Sequence, residues 1–255
     1  MTHQERLDYV NGLKLGLPKA VYTRRKRSSG AADANADTMV KDGEQQNFFA
    51  DKGLYSFVAN VSEQNRKDVL NSVLLAQMVA NEKVPDENEA INWYKVFLEV
   101  LEKIGWFVES KQVSEFISSK DIVEVQNAIV KILKDAFGEN YIGLLKSALD
   151  SIKDLSDSDG KIKAFEKNTH GTNKGCFQVG IAYEQNGSVA FNLGTFILST
   201  KSNITRILFV NFGSDKTELQ YSSSKATLNN EVFQVLRNTV VQKLANDGAS
   251  FLAKI

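Results

Sequence analysis

The dipeptide Asn186-Gly187 lies between two long runs in which apolar residues alternate with other residue types. Both residues tolerate the positive φ of a type I′ turn, so the pattern predicts a tight β-hairpin between strands over 175–185 and 188–200. With a two-residue turn, Gln185 pairs with Ser188, and this register fixes which side chains share a face. Both faces are rich in apolar residues, which predicts a sheet that is covered on each side.

The apolar spacing changes from helical to alternating after Gly160. Strands are predicted over 161–167, 203–212 and 217–222 in addition to the hairpin. The aromatic-rich stretches 47–61 and 106–116 fit short strands or connecting turns equally well. Helices are predicted after Ser62, after Asp86, from near Ser119 to Gly138, from Tyr141 to Ile152, and from Asn229 to Ala245.

These patterns predict an α+β fold. An antiparallel β-meander in the C-terminal half is expected to be covered by helices from the N-terminal half and by a C-terminal helix. Because both sheet faces need cover, residues 47–255 are predicted to form a single α+β domain.

Residues 1–46 differ from the rest in composition. Few bulky apolar residues occur between 23 and 46, so burial cannot offset the entropy of ordering this segment. We predict a flexible basic N-terminal arm over 1–46. Its basic cluster fits a solvated patch, a localisation signal, a protease site or a contact with anionic lipid. The cluster consists of Arg24, Arg25, Lys26 and Arg27.

Charge and motifs restrict the partners and cofactors. The chain has 31 basic and 31 acidic residues, and phosphate affinity needs an excess of basic ones, so no nucleic-acid partner is expected. No metal-ligand, phosphate-loop or dinucleotide motif occurs, so no metal and no cofactor are expected apart from a covalently bound fatty acid. The chain shows no Sec-type signal and no apolar run long enough for a transmembrane helix. We therefore expect synthesis in the cytoplasm, with later release and membrane association left open.

Cys176 is the single cysteine, so no internal disulfide can form. A Cys/His hydrolase or acyltransferase could be built only from Cys176 and His170, because His3 lies in the predicted arm. Their spacing permits contact if Gly171 and Gly175 bend the loop, but no motif specifies it. A non-enzymatic role is favoured, with His170 as a loop residue.

The face of the hairpin that carries Cys176 combines small and bulky residues. Missing side-chain volume beside large apolar groups fits either close packing of a helix or a slot for a ligand. An acyl chain on the thiol would contribute about 0.8 kcal/mol for each buried methylene. The alternative is that Cys176 is simply a small buried hydrophobe. The acyl-pocket candidates are Gly180, Ala182, Phe191, Leu193 and Ile197.

The chain resembles the Erwinia virulence factor (Evf) family. The resemblance consists of a helical first half, a β-rich second half, a single cysteine in Gly175-Cys176-Phe177, and the absence of a signal peptide or enzyme motif. It covers roughly residues 47–255. The family implies a complex α/β fold, a palmitoyl group on a cysteine, which would be Cys176 here, and affinity for anionic membranes in a bacterial factor for persistence in the insect gut.

The predicted function is therefore that of a non-enzymatic virulence or toxin-like protein that associates with membranes through S-acylated Cys176. The basic cluster at 24–27 would supply the second signal that a single acyl chain needs for stable anchoring. Two alternatives remain open. One is a self-assembling structural or protein-interaction module, and the other is the Cys/His hydrolase or acyltransferase.

Overall fold

The computed structural model of the protein describes residues 1–22, 39–110, 112–117, 124–212, 217–245 and 251–255. Helices and strands are mixed along the chain, so the α+β fold class is confirmed. The helices are α1 (His3–Gly12), α2 (Glu63–Lys83), α3 (Ala90–Lys103), α4 (Val125–Phe137), α5 (Ile142–Asp154), α6 (Gly160–Thr169) and α7 (Asn230–Leu244). The strands are β1 (Gln46–Ala50), β2 (Gly53–Phe57), β3 (Trp106–Ser110), β4 (Ser114–Phe116), β5 (Lys174–Gln185), β6 (Ser188–Ser199), β7 (Glu218–Leu228) and β8 (Leu252–Lys254).

These strands form one mixed sheet in the order β3-β7-β6-β5-β2-β1-β8, and β4 also pairs with β7. Strands β5, β6 and β7 are the predicted antiparallel meander. Strand β2 runs parallel to β5, whereas the other strand pairs are antiparallel. The meander is therefore the centre of a wider sheet, which is extended by strands from the first half of the chain and by the C-terminal strand β8.

The central hairpin has the predicted register. Gln185 pairs with Ser188, and the turn residues Asn186 and Gly187 have φ values of 52° and 76°. The interiors of β5 and β6 are buried on both faces, as the two apolar faces predicted. The positive φ values are those that Asn and Gly adopt most readily, so the local sequence sets the pairing of the sheet centre.

Helices cover both faces of this sheet. One apolar cluster joins α1, α2, α3 and α7 to the face that carries Cys176. A second cluster joins α4, α5 and α6 to the opposite face, which carries Phe177 and Val179. The alternation along β5 thus sends successive side chains into two different cores. None of the helices among the described residues is long and apolar enough to cross a bilayer.

Two strand predictions are wrong. Residues 161–167 lie in α6, because Asp159 caps this helix by accepting hydrogen bonds from the backbone N–H groups of Lys161 and Ile162. Residues 203–212 form a connection with one 3₁₀ turn, Ile207–Phe209. These residues cannot add a strand beside β6 or β7, because β6 pairs with β5 and β7 on its two sides and the other side of β7 pairs with β3 and β4. The predicted strand over 217–222 exists as part of the longer β7.

The ambiguous stretches at 47–61 and 106–116 contain strands β1 to β4, so the first half of the chain is not wholly helical. Within the predicted arm, the described residues 1–22 pack on the body. Helix α1 lies against α7, Val10 is fully buried, and the Gly16 N–H donates to the Met78 carbonyl at 2.8 Å. The basic cluster at 24–27 lies outside the described residues.

Arg66 on α2 is a fully buried cation. Its guanidinium donates to backbone carbonyls on both sides of the β1–β2 hairpin and to the Gln46 side chain, so it joins the chain before β1 to the loop after β2. The acceptors are Val61 O at 2.7 Å, Gln46 Oε1 at 3.0 Å, Glu44 O at 2.7 Å, Val58 O at 3.0 Å and Ala59 O at 3.3 Å. Removing the guanidinium would leave several buried acceptors without donors.

We predict that Arg66→Met lowers the free energy of unfolding by about 3 kcal/mol or more, since each buried acceptor left unpaired costs about 1–3 kcal/mol. Urea denaturation followed by far-UV circular dichroism measures the change. Lys131→Met is the control, because the ion pair of Lys131 with Asp135 on α4 is exposed to solvent. Equal midpoints for the two variants would contradict the structural role of Arg66.

Candidate functional site

A cavity of about 180 Å³ lies where β5 meets the β1–β2 turn, the α2–α3 connection and the chain before Tyr22. We call it the Cys176 cavity. Both prolines of the chain, Pro18 and Pro85, line it together with the only cysteine. Its walls are Leu17, Pro18, Lys19, Asp51, Lys52, Asn81, Val84, Pro85, Asp86, Glu87, Ala90, Trp93, Asn168, Thr169, Gly175 and Cys176.

Asp51 is the turn residue that holds this region together. It has a φ of 45° between β1 and β2 and is fully buried. Its N–H donates to the Phe251 carbonyl at 3.1 Å, and its own carbonyl accepts from the Tyr22 hydroxyl. The side-chain Oδ2 accepts from Asn81 Nδ2 at 2.9 Å, whereas Oδ1 has no hydrogen-bond partner among the described residues.

Burial raises the pKa of Asp51 from its ordinary value near 3.8 to about 6, against the opposing effects of Lys52, the hydrogen bond from Asn81, and Lys19. The carboxyl group thus titrates in the range where most carboxylates are already ionised. Nothing in the sequence marked Asp51, because its hydrogen-bond partners Tyr22, Asn81 and Phe251 come from three separate parts of the chain.

Trp93 forms the wall opposite the turn. Its indole Nε1 donates to Asn81 Oδ1 at 2.8 Å, and its ring stacks on Phe97 with 5.8 Å between centroids. The ammonium of Lys52 lies 4.8 Å from the Trp93 ring centroid, in cation–π geometry. Asn81 therefore connects the buried carboxylate of Asp51 to the aromatic wall.

Cys176 is buried, with 8% of its surface exposed. Burial raises the pKa of its thiol to about 11; Asp51 adds to this rise, and Lys52 opposes it. At neutral pH the sulfur is therefore a protonated thiol and a weak nucleophile. This environment is the reverse of that of a catalytic cysteine, whose pKa is lowered.

His170 directs both ring nitrogens to partners other than Cys176. Its Nδ1 donates to the Gly171 carbonyl at 2.6 Å, and Nε2 lies 2.9 Å from Glu166 Oε2. His170 also forms an isolated β-bridge with Gly175, so the backbone bends there as the glycines suggested. The bend brings the backbones of His170 and Gly175 together, but the imidazole of His170 is not paired with the thiol of Cys176.

The five acyl-pocket candidates share the face of Cys176, as the register predicted. Cys176 lies opposite Ile197, Gly180 opposite Leu193 and Ala182 opposite Phe191. None of the five lines the Cys176 cavity.

The side chain of Tyr55 fills the space beside Gly180. A Cβ on Gly180 would lie 2.7 Å from Tyr55 Cδ1, and the Tyr55 hydroxyl donates to Gln178 Oε1 at 2.8 Å. Tyr55 was not identified from the sequence, because the parallel pairing of β2 with β5 leaves no local signal.

No protein-family model and no curated protein matches the chain. Several solved structures are similar to it, among them the following three. A delta-endotoxin is 13% identical, with a TM-score of 0.45 over 81% of this chain and 89% of that chain. The Evf virulence factor is 9% identical, with a TM-score of 0.45 over 94% of this chain and 89% of that chain. The activated Cyt2Ba monomer from Bacillus thuringiensis subsp. israelensis is 11% identical, with a TM-score of 0.30 over 53% of this chain and 79% of that chain. The Evf virulence factor, whose family the sequence resembles, is thus among the similar structures.

We predict that Asp51→Asn stabilises the protein at pH 7.5 and changes little at pH 4. The folded-state pKa is raised, so the stability is fully present below the unfolded-state pKa near 4 and is lost as the pH rises from there through the folded-state pKa of about 6. A shift of about two units corresponds to roughly 3 kcal/mol at most, and Asn tolerates the positive φ. Thermal unfolding at both pH values measures the effect. Asp86→Asn, an exposed change at the cavity mouth, is the control, and a destabilised Asp51→Asn at pH 7.5 would contradict the prediction.

We predict that iodoacetamide alkylates Cys176 in the folded protein at least about a hundredfold more slowly than free cysteine at pH 7.5, because little thiolate is present. The rate should rise about tenfold per pH unit while the fold persists. Intact-mass spectrometry over a time course measures it. His170→Ala should leave the rate unchanged, whereas fast labelling that this variant abolishes would establish a Cys/His pair.

Proposed function

We propose that this chain is a non-enzymatic virulence or toxin-like protein that associates with membranes through a fatty acid attached as a thioester to Cys176. The observation that carries the proposal is the position of the thiol on a cavity wall beside apolar groups, among them Leu17, Val84 and Ala90. The first methylenes of an acyl chain on this sulfur would lie against those walls, where burial is favourable.

The cavity is too small to enclose a long acyl chain, so the rest of the chain is available to enter a bilayer. Pockets that enclose a drug-sized ligand usually measure about 300–1,000 Å³. The Cys176 cavity measures about 180 Å³, so it holds only part of a long chain. Each methylene left in water forgoes about 0.8 kcal/mol, and the remainder of the chain therefore favours a bilayer. Attachment at this site would anchor the protein without first unfolding its core.

A single acyl chain gives only weak and reversible membrane binding, so a second attraction is needed. The basic cluster at 24–27 supplies it in this proposal, through anionic headgroups. In sequence the cluster begins two residues after Tyr22, whose hydroxyl donates to the Asp51 carbonyl beside the cavity. The virulence role itself follows from the family resemblance of the sequence and stands as part of the proposal.

The Cys/His hydrolase is less well supported than this role. The thiol has a raised pKa, and the ring nitrogens of His170 contact Glu166 and the Gly171 carbonyl. A nucleophile needs the opposite arrangement, with a neighbouring base and a lowered pKa.

We predict that the protein purified from its native source carries an added acyl mass that hydroxylamine removes. It should sediment with vesicles of phosphatidylcholine and phosphatidylglycerol, and Cys176→Ser should abolish this binding. Replacing all four residues of the basic cluster by Gln should weaken binding at least about tenfold, because each basic residue near an anionic surface contributes about 1 kcal/mol.

A matched control removes the same number of positive charges from other exposed positions. These are Lys95, Lys146, Lys163 and Lys201, each changed to Gln. Vesicle binding should change much less in this control. An unmodified native mass would exclude the thioester, and binding that survives Cys176→Ser would exclude its role as the anchor.

A further inference from the structure

The Cys176 cavity contains a buried acceptor without a donor. Asp51 is fully buried and lines the cavity, and its Oδ1 has no partner among the described residues. Buried polar atoms in folded proteins are almost always satisfied by protein, water or ligand. The missing partner of Asp51 is therefore a group that donates a hydrogen bond.

The cavity also presents the ammonium of the half-buried Lys52. The Lys52 ammonium lies over the Trp93 ring, and no hydrogen bond or ion pair of this ammonium is found within the described part of the chain. A lysine ammonium carries three N–H donors and no acceptor. A ligand head group that accepts from Lys52 would therefore complete this wall of the cavity.

The charges that line the cavity favour a neutral head group. Lys19 is paired with Glu87, Lys52 offsets the charge of Asp51, and the remaining carboxylate, Asp86, is exposed at the mouth, where water and salt screen it. An ammonium ligand is attracted by Asp51 but repelled by Lys52, and a carboxylate ligand is attracted by Lys52 but repelled by Asp51, so neither ion regains the hydration that it loses on entry. A hydroxyl group both donates and accepts and carries no charge, so it fits both side chains.

The apolar walls and the volume set the size of the ligand body. Leu17, Val84, Pro85 and Ala90 provide the apolar lining. The volume of about 180 Å³ is close to that of an engineered cavity of about 150 Å³ that binds benzene. A body of about six to eight non-hydrogen atoms is therefore the size that fits.

We propose that the Cys176 cavity binds a small neutral alcohol reversibly, with its hydroxyl between Asp51 and Lys52 and its apolar body against Val84, Pro85 and Ala90. The site does not depend on acylation of Cys176 or on membrane association. The chemical class is set by the uncharged hydroxyl and by the short apolar body.

The test uses ¹⁵N-labelled full chain whose unacylated state is verified by intact mass, so the thioester proposal is not involved. Trp93 lines the cavity, whereas Trp106 packs on Phe191 away from it, which gives one reporting indole and one internal control. Titration with 1-hexanol should shift the Trp93 indole resonance saturably in the millimolar range and leave Trp106 unchanged. A Trp106→Phe variant assigns the two resonances.

Two matched probes test the charge argument. Hexylamine and hexanoate have the same chain length as 1-hexanol and should bind at least about tenfold more weakly, since each meets a like charge. Tighter binding of either ion would overturn the neutral-alcohol proposal. No saturable shift with 1-hexanol, as expected if the cavity holds only water, would overturn it as well.

Two variants test the location. Asp51→Asn places an amide donor where the hydroxyl needs an acceptor, so 1-hexanol binding should weaken at least about tenfold. Ala90→Leu fills the cavity from the first residue of α3 and should abolish binding while the far-UV circular dichroism spectrum stays unchanged. Unchanged 1-hexanol affinity in a folded Ala90→Leu protein would show that the alcohol binds elsewhere.

Discussion

The pairing of β5 with β6 is the constraint on which the rest of the structure depends. The two strands pair antiparallel, from Lys174 opposite Ser199 to Gln185 opposite Ser188, and the Asn-Gly turn fixes this register. A slip by one residue would exchange the two faces of the strand. Tyr55 shows the consequence, because its ring occupies space that only a glycine at 180 leaves free. The same register brings Cys176 to the face that α2 and α3 cover, and therefore to the cavity.

The parts of the fold that follow from local sequence were predictable. The register of the hairpin follows from two turn residues, and the longer helices follow from their apolar spacing. The segment 161–167 was not predictable in this way, since a short mixed run fits either period and the capping hydrogen bonds of Asp159 decide for the helix. The candidate functional site was harder to predict than the fold. Cys176 stood out as the single cysteine, but Asp51 acquires its properties only when Tyr22 and Asn81 meet it in the folded chain.

The environment of the cavity favours uncharged forms of its acid groups. Burial raises the pKa of both Cys176 and Asp51, so the protein disfavours a thiolate and a carboxylate in the same place. Such an environment protects a thioester better than it promotes nucleophilic attack. The same environment also favours an uncharged ligand over a charged one. Both proposals concern this cavity, and each is tested separately.

The parallel contact between β2 and β5 joins residues that are more than a hundred positions apart, as with Tyr55 and Gly180. Sheet contacts of such long range slow folding, because the entropy of closing a large loop must be overcome before the contact forms. During synthesis, β1, β2 and α2 emerge well before β5 and β6. The apolar side chains of these early elements therefore stay exposed to water during that interval. Apolar surface exposed in this way promotes aggregation, so the interval before the central hairpin forms is the vulnerable stage in the folding of such a chain.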